Sequence, residues 1–428
     1  MKGITGRLPA TLVVAVILVT ISCISWFSGV SQEKSTFRSG VSRVNITPPV
    51  AIPMSGYGGR QGAYQGIHDS LYAYAVVFDD GNLKAALITA DLIGFSHQFC
   101  AETNRLIEEK TGIPAANIML TATHNHGGPR NNAYGTEDNP DITNYVALLQ
   151  QRIVEAAVIA SGNLRPARIG AGKGKCNMNI NRRAHFADGT IWLGRNPDGP
   201  CDKEVSVVRI DDVAGNPMAI LTNWATHGTT GGQENYQITG DWPGATARFV
   251  MEKLGGNVVT PITAGASGDI NPIYGPNDQF RDIDAIGMLL ATEVVQVAQE
   301  IETYPGSPVS VNRVTIQAQG RKPTDNYQPH QALEPADPVE INLTALKVGN
   351  IVFAGISGEL MTEIGMALKA KSPYSNTVVV THCNGNAGYL ITDQAYVEGG
   401  YEAMVSRTMP GTADAIVDNL NRLIRALR

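Results

Sequence analysis

The stretch Thr123-His124-Asn125-His126-Gly127-Gly128-Pro129 carries two of the chain's eight histidines, two residues apart. It follows a short apolar run, Ile118-Met119-Leu120, which predicts a buried strand. In an extended segment the side chains at i and i+2 share a face, so His124 and His126 can aim at one point beyond the strand's end. Gly127, Gly128 and Pro129 stop the strand and keep the approach open. Neutral imidazole is the commonest metal ligand, which makes a divalent-metal site the chemistry this pattern offers. Two histidines hydrogen-bonded at a strand end would give the same residues without a metal.

Further strand ends carry polar residues that can share the site. Thr222-Asn223-Trp224-Ala225-Thr226-His227-Gly228-Thr229 repeats the first pattern: apolar strand, Thr-His, glycine. His227 is then a ligand or a structural histidine. Gly265-Ala266-Ser267-Gly268-Asp269-Ile270-Asn271-Pro272 is a glycine-rich turn whose backbone N–H groups can hold an oxyanion. Asp269 there is a candidate base, or a cap for local amides. In Ile356-Ser357-Gly358-Glu359 a strand hands over to a helix, and Glu359 either faces the site or favours the helix N-terminus. Asn384-Gly385-Asn386-Ala387-Gly388-Tyr389-Leu390 follows, with Tyr396 and Tyr401 downstream.

The elements that must position these residues alternate along the chain. Tyr72–Phe78 and Lys84–Ala90 read as strands paired across Asp79-Asp80-Gly81-Asn82, and Val205–Ile210 and Met218–Asn223 as a second pair. Further strands are expected at Val258–Thr263, Val309–Ala318, Asn342–Val348, Ile351–Ile356 and Thr377–Thr381. Helices are expected at Phe99–Lys110, Asn144–Ala160, Pro243–Leu254, Asp282–Ile301, Leu360–Lys371 and Gly411–Leu427. Such mixing, with several hairpins, predicts an α/β protein of mixed β-sheets flanked by helices rather than a parallel barrel. Arg321–Pro338, rich in proline and glutamine, reads as a long loop or an excursion over a site.

The 428 residues include 43% apolar and 17% charged side chains, enough for a sizeable core. A formal charge of −6 argues against a nucleic-acid partner, and nothing in the sequence predicts a protein partner. Lys2 and Arg7 precede an uncharged stretch from Leu8 to Val30, the pattern of an export segment. Residues 1–36 are therefore read as an export or anchor segment and 37–428 as the working domain, placed in the periplasm or at the cell surface. Lipid anchoring at Cys23, plain cleavage and an uncleaved membrane anchor all remain open, so membrane association would run through this segment. In an oxidising compartment Cys176 and Cys201 would close a loop of about two dozen residues. Free buried thiols are the alternative.

Taken in order, these motifs resemble the catalytic domain of the neutral (non-lysosomal) ceramidase family. The resemblance runs from about Gly40 to Arg407. The His124 segment is similar to the family's Thr-His-Thr-His-Ser/Ala-Gly-Pro, and Thr226-His227-Gly228-Thr229 to its second histidine motif. Gly268-Asp269-Ile270-Asn271-Pro272 parallels Gly-Asp-Val-Ser-Pro, Gly358-Glu359 matches Pro-Gly-Glu-Phe, and Gly388-Tyr389 with Tyr401-Glu402 sit like the paired tyrosines. Gly66-Ile67-His68 resembles a Gly-Ile-His near the family's start. The resemblance implies the family's α/β fold and one zinc ion per chain, held by His124, His227, Glu359 and Tyr389, with His126 orienting a ligand or the bound water. It implies a hydrolase in which zinc lowers the pKa of a water toward about 7 for attack on an acyl carbon. Asp269 would be the base, and Tyr401 and Arg182 would donate to the oxyanion or bind the substrate's head.

Three departures shape the expectation. The family's serine is Asn271 here, which can donate a hydrogen bond but cannot be a nucleophile, so a serine acyl-enzyme at that position is excluded. The β-sandwich that follows in full-length ceramidases is absent from this sequence, which makes ceramide doubtful as the substrate. The Asn181–Pro200 loop, with Trp192, also differs. The expected function is an exported zinc amidase acting on a small-molecule or lipid N-acyl amide. The alternatives are a same-fold hydrolase of esters, lactones or sugar derivatives, and an inactive binding protein. An amidohydrolase barrel fits poorly, because His185 and His382 are weak candidates for its extra ligands.

Overall fold

The computed structural model describes residues 37–133 and 138–427, with Gly3 and Gly6. Those two glycines apart, the expected export or anchor segment 1–36, with Cys23, lies outside the described residues. Among the described residues no helix is long and apolar enough to cross a membrane.

An eight-stranded sheet forms the larger layer. Its spatial order is β12 (Ile262–Ala264), β10 (Pro217–Trp224), β9 (Glu204–Asp212), β6 (Arg165–Lys175), β1 (Arg38–Asn45), β3 (Tyr72–Asp79), β4 (Lys84–Ala90) and β5 (Ile118–Ala122). Its middle is antiparallel, and both outermost pairs are parallel, with Thr222 opposite Ile262 and Ala86 opposite Ile118. A second sheet runs β14 (Val309–Arg321), β15 (Pro335–Val348), β16 (Ile351–Ile356) and β18 (Asn376–Val380), closing on a parallel pair.

The two-residue period of the strands explains the layering. Ala73, Ala75 and Val77 of β3, Ala86 and Ile88 of β4 and Leu120 of β5 face a helix layer that contributes Ile107, Ile142, Leu149 and Ile153. Their alternates Val76, Phe78, Leu87 and Met119 face Leu346, Phe353 and Val380 of the second sheet. Phe78 and Phe353 stack across that seam with ring centroids 6.3 Å apart. The other face of the second sheet, with Val352, Ala354 and Ile356, packs against Ile364, Ile416 and Leu420. Both faces of each sheet are thus covered, which is why these strands read as continuous apolar runs. Each buried side chain of this size contributes about 1.5–3 kcal/mol.

The eight-stranded sheet curves until its two outer edges meet the second sheet. Thr121 Oγ1 at the end of β5 donates to Thr381 O at 2.7 Å, and Thr381 N donates to Ala264 O at 3.0 Å. Thr89 Oγ1 of β4, one strand in from the β5 edge, reaches Ile262 O of β12. The ends of β5, β10, β12 and β18 are thereby gathered at one place.

Several expectations need adjustment. The helix expected from Asn144 begins at Pro140, because Asn139 caps the N–H groups of Asp141 and Ile142 and proline suits the first turn. The Arg321–Pro338 excursion shrinks to 322–334, since the β14–β15 hairpin continues to the Arg321–Pro335 pair. Gly320 allows this: a Cβ there would lie 1.9 Å from Asp337 O. The expected Asn181–Pro200 loop is instead a hairpin, β7 (Asn179–His185) with β8 (Ile191–Asn196), and β13 (Ile270–Pro272) pairs on its other edge. Of Val258–Thr263 only the end joins β12, since Pro261 interrupts the pairing. Cys176 and Cys201 are free thiols, Cys176 being packed into an apolar cluster.

Asp91, just past β4, is buried; one carboxylate oxygen accepts from Tyr72 N at 2.9 Å and the other meets no donor among the described residues. Burial pushes its pKa from 3.8 up to about 7. The folded state therefore holds a proton that the unfolded chain has released. The stability this confers is fully present below about pH 4 and is lost as pH rises through about 7, at about 1.4 kcal/mol per pH unit in between. Urea unfolding of Asp91→Asn between pH 5 and 6.5 is expected to show a slope smaller by about that amount. Parallel slopes for the two proteins would refute it.

Candidate metal centre

The two Thr-His-Gly segments form a single piece of structure. β5 ends at Ala122, before the histidines, and His124 takes a left-handed backbone, φ 57°. The HxH is therefore a corner and not the extended strand expected. This conformation is uncommon for a residue with a side chain and is held in place by its surroundings. Asn125 N donates to Leu92 O, Gly228 N to His124 O, and His126 N to Gly228 O. Asn125 and Gly228 thus form a parallel bridge between the two motifs. Gly228 has no room for a side chain, as a Cβ would come 2.8 Å from Asn125 Cα.

This bridge aims three imidazoles at one point. Nδ1 of His124 lies 2.8 Å from Ile93 O, and Nδ1 of His227 lies 2.6 Å from Ser267 O. Carbonyl oxygens only accept, so each Nδ1 carries the proton and each Nε2 presents a lone pair. Nε2 of His126 is 3.4 Å from Nε2 of His124. Glu359 Oε2 lies 3.3 Å from His124 Nε2 and 3.4 Å from His227 Nε2. Ligand atoms of His124, His126 and His227 all lie within 4.8 Å of one another, and all three residues are buried. Burial, aided by the Arg182 charge, lowers the His227 pKa to about 4, and burial with the neighbouring imidazoles holds His126 well below its ordinary range. For Glu359 burial acts upward, but the adjoining His124 and His227 rings outweigh it and hold the carboxyl well below its usual value. Neutral nitrogen donors around a buried carboxylate suit a divalent cation, so the residues present fit a metal. His126 stands apart in two respects: its Nδ1 meets no partner among the described residues, and it is His124 and His227 that Glu359 Oε2 lies against. Its Nε2 still lies in the same nitrogen group.

Glu359 and Tyr389 are Cα partners in a short parallel pair, β17 (Glu359–Leu360) with β19 (Tyr389–Leu390). Tyr389 and Tyr401 meet edge to face at 5.8 Å, and both line a cavity of about 530 Å³ with His124, His126 and Glu359. Arg182, on β7, links the parts. Nη2 donates to the Tyr389 hydroxyl at 3.0 Å, Nη1 approaches His227 Nε2 at 3.2 Å, and Nε donates to Glu402 Oε1 at 2.8 Å. Asn271 Oδ1 is 3.5 Å from Arg182 Nη1 and from Thr229 Oγ1, at the limit of a hydrogen bond.

Asp269 sits differently from a base. Its Oδ1 accepts from Thr362 N at 2.8 Å and its Oδ2 from Asn181 Nδ2 at 3.0 Å, and its carbonyl accepts from Arg182 N. Burial raises its pKa to about 7, yet it lines a different cavity. With both oxygens engaged, Asp269 fixes β7 and the helix Thr362–Lys371 rather than facing the imidazoles.

Two residues escaped the sequence reading of the site. His382 was set aside, but its ring stacks on His124 at 3.9 Å, it is buried, and its φ is 54°. Thr381-His382 after the apolar β18 repeats the Thr-His pattern a third time, and that was the available signal. Glu402 is a buried carboxylate that receives Arg182 on one oxygen and Arg183 Nη1, at 2.9 Å, on the other.

A family model described as neutral/alkaline non-lysosomal ceramidase, N-terminal, matches residues 37–279, more than half of the chain. The chain belongs to this family. Among ceramidase relatives, neutral ceramidase B of Dictyostelium discoideum is 29% identical over 252 residues, covering 55% of this chain and 34% of that protein. The neutral ceramidase of Mycobacterium tuberculosis is 28% identical over 222 residues, 47% of this chain and 34% of the relative. The chain thus spans about a third of the length of the curated ceramidases it matches. The solved neutral ceramidase of Pseudomonas aeruginosa superposes with a TM-score of 0.78 at 19% identity, over 92% of this chain and 75% of that one. A ceramidase complexed with C2 gives a TM-score of 0.79 at 18% identity, with the same coverage. The ceramidase fold therefore extends beyond the segment matched in sequence.

Proposed function

We propose that this chain is an exported, zinc-dependent amidase that hydrolyses N-acyl amides. The observation that carries the reading is the buried convergence of the imidazoles on the Glu359 carboxylate, within a ceramidase-family chain. His124, His227 and Glu359, with His126 and Tyr389 beside them, would hold the metal. A bound divalent ion supplies Lewis-acid polarisation and lowers the pKa of water toward about 7. Export rests on the composition of residues 1–36, with anchoring at Cys23 as one form of it.

The chain's own residues supply positioning and charge stabilisation. Burial raises the pKa values of Tyr389 and Tyr401, so both phenols stay protonated and can donate to the oxygen of an acyl group as charge develops on it. Arg182 hydrogen-bonds the Tyr389 oxygen, which orients that hydroxyl and strengthens it as a donor. Glu402 fixes Arg182 in turn, so the donors are set before substrate arrives. Asn271 supplies no nucleophile, and the route needs no acyl-enzyme at that position.

The test compares short-chain ceramide, non-lipid amides and matched esters, before and after chelation. Turnover of an amide that chelation abolishes and zinc restores is the expected result. Turnover of esters alone would replace the amidase reading with that of a same-fold esterase, and activity indifferent to chelation would remove the metal from it.

A further inference from the structure

The reaction cavity has a second lobe of about 470 Å³, which shares Glu359, Tyr389 and Tyr401 with the first. The two lobes differ in chemistry. The first offers Met54, Tyr57 and Ile93 as apolar wall beside the imidazoles, with Arg130, Asn131 and Asn132 also at its lining. The second is lined by Ser96, His97, Asn386 and Arg407.

Arg407 has no carboxylate within ion-pair reach among the described residues; its Nη2 donates to Asn386 O at 3.0 Å, and its remaining donors are available. Gly388, one residue before Tyr389, leaves room for the guanidinium, because a Cβ there would come 3.3 Å from Arg407 Nε. His97 Nε2 is buried and without a hydrogen-bond partner among the described residues. Burial lowers the His97 pKa; Glu340 acts against that, and Arg407 and Arg313 act with it. His97 also opens the helix His97–Thr111, whose first turn holds no acidic residue, so apart from the Ser96 Oγ cap on Phe99 N the positive end of that helix is open at this wall. Among the described residues the one carboxylate of the lobe lining, Glu359, lies against His124 and His227. A guanidinium, an unsatisfied imidazole nitrogen and a helix N-terminus around one space, otherwise walled by Ala133, Val405 and the two tyrosines, form an anion site.

We propose that this lobe receives the carboxylate of the substrate's amine half, and that the substrates are N-acyl amino acids. The proposal rests on the amidase reading above. Water adds across the amide: the acyl C–N bond breaks, a C–O bond forms, and the nitrogen leaves with a proton, giving a fatty acid and a free amino acid. Tyr389 and Tyr401, at the junction of the lobes, would flank the scissile bond, with the acyl chain in the first lobe and the carboxylate on Arg407 and His97.

The experiment uses the full chain with two amides of equal acyl length, dodecanoylglycine and dodecanoylethanolamine, which differ in the carboxylate. kcat/KM is expected to favour the acylglycine by about 10- to 100-fold, the worth of a charge-assisted contact. Arg407→Gln should collapse that ratio, and Arg407→Lys should recover part of it. A ratio near one in the unmodified protein, or one untouched by Arg407→Gln, would overturn the proposal. If neither amide is turned over, the amidase reading fails, and calorimetric binding of the same two ligands decides the lobe separately. Tighter binding of dodecanoylglycine, lost in Arg407→Gln, upholds the anion site, and equal binding of both ligands overturns it.

Discussion

His124→Ala and His227→Ala are each expected to lose the bound metal and to cut turnover by more than about 100-fold, beyond the 10- to 100-fold that an orienting partner is worth. Both nitrogens are fixed as lone-pair donors by Nδ1 contacts to backbone carbonyls, so neither ring can turn to compensate for a missing neighbour. His126→Ala is the sharper measurement. Its Nε2 belongs to the same nitrogen group, so metal affinity should fall by more than about tenfold there as well. Metal content after dialysis against a weak chelator, with far-UV circular dichroism as the control for folding, reads all three. A His126→Ala protein that keeps stoichiometric metal while losing turnover would return His126 to the supporting role inferred from the family pattern.

Glu402→Ala is expected to destabilise the protein by about 3–5 kcal/mol, because it strands two buried guanidiniums. Arg182 and Arg183 are both buried and each donates to one oxygen of this carboxylate. Among the described residues Arg183 retains Glu398 and Gly399 O, whereas Arg182 retains only Tyr389, His227 and the marginal Asn271 contact. The damage should therefore concentrate at Arg182 and appear as a lower kcat more than a higher KM. Glu402→Gln, which keeps one acceptor, should cost less. Urea unfolding and steady-state kinetics measure both effects, and a loss below about 1 kcal/mol for Glu402→Ala would show that the two arginines find other partners.

The parts of the fold legible in the sequence were those with two covered faces. β3, β4 and β16 announce themselves as apolar runs because helices lie on one side and a second sheet on the other. The β7–β8 hairpin was missed because its strands carry Asn181, Arg182, Arg183 and His185, whose role is to present polar groups, so no apolar alternation marks them. At the site, His124, His227 and Glu359 stood out because each follows an apolar strand. Arg182's bond to Glu402 spans 220 residues, and no local pattern encodes such a pairing. Asp269 shows the converse. Its type and its glycine-rich turn suit a base, and only the positions of Thr362 N and Asn181 Nδ2 reveal that both oxygens are already engaged.

The curvature that brings the ends of β5, β10 and β18 together has a temporal consequence. His124, His227 and His382 follow strands from distant stretches of the chain, and the last of these belongs to a different sheet. No two of these imidazoles meet until the edges of the large sheet have bent around to the second one. Closure of such long intervals comes late in folding, because its entropy must be met before the contacts it permits exist. Before closure a nascent chain offers only the local His124–His126 pair, and the other donors are still far apart. The choice of ion is deferred to a finished cavity, where geometry rather than first arrival decides it.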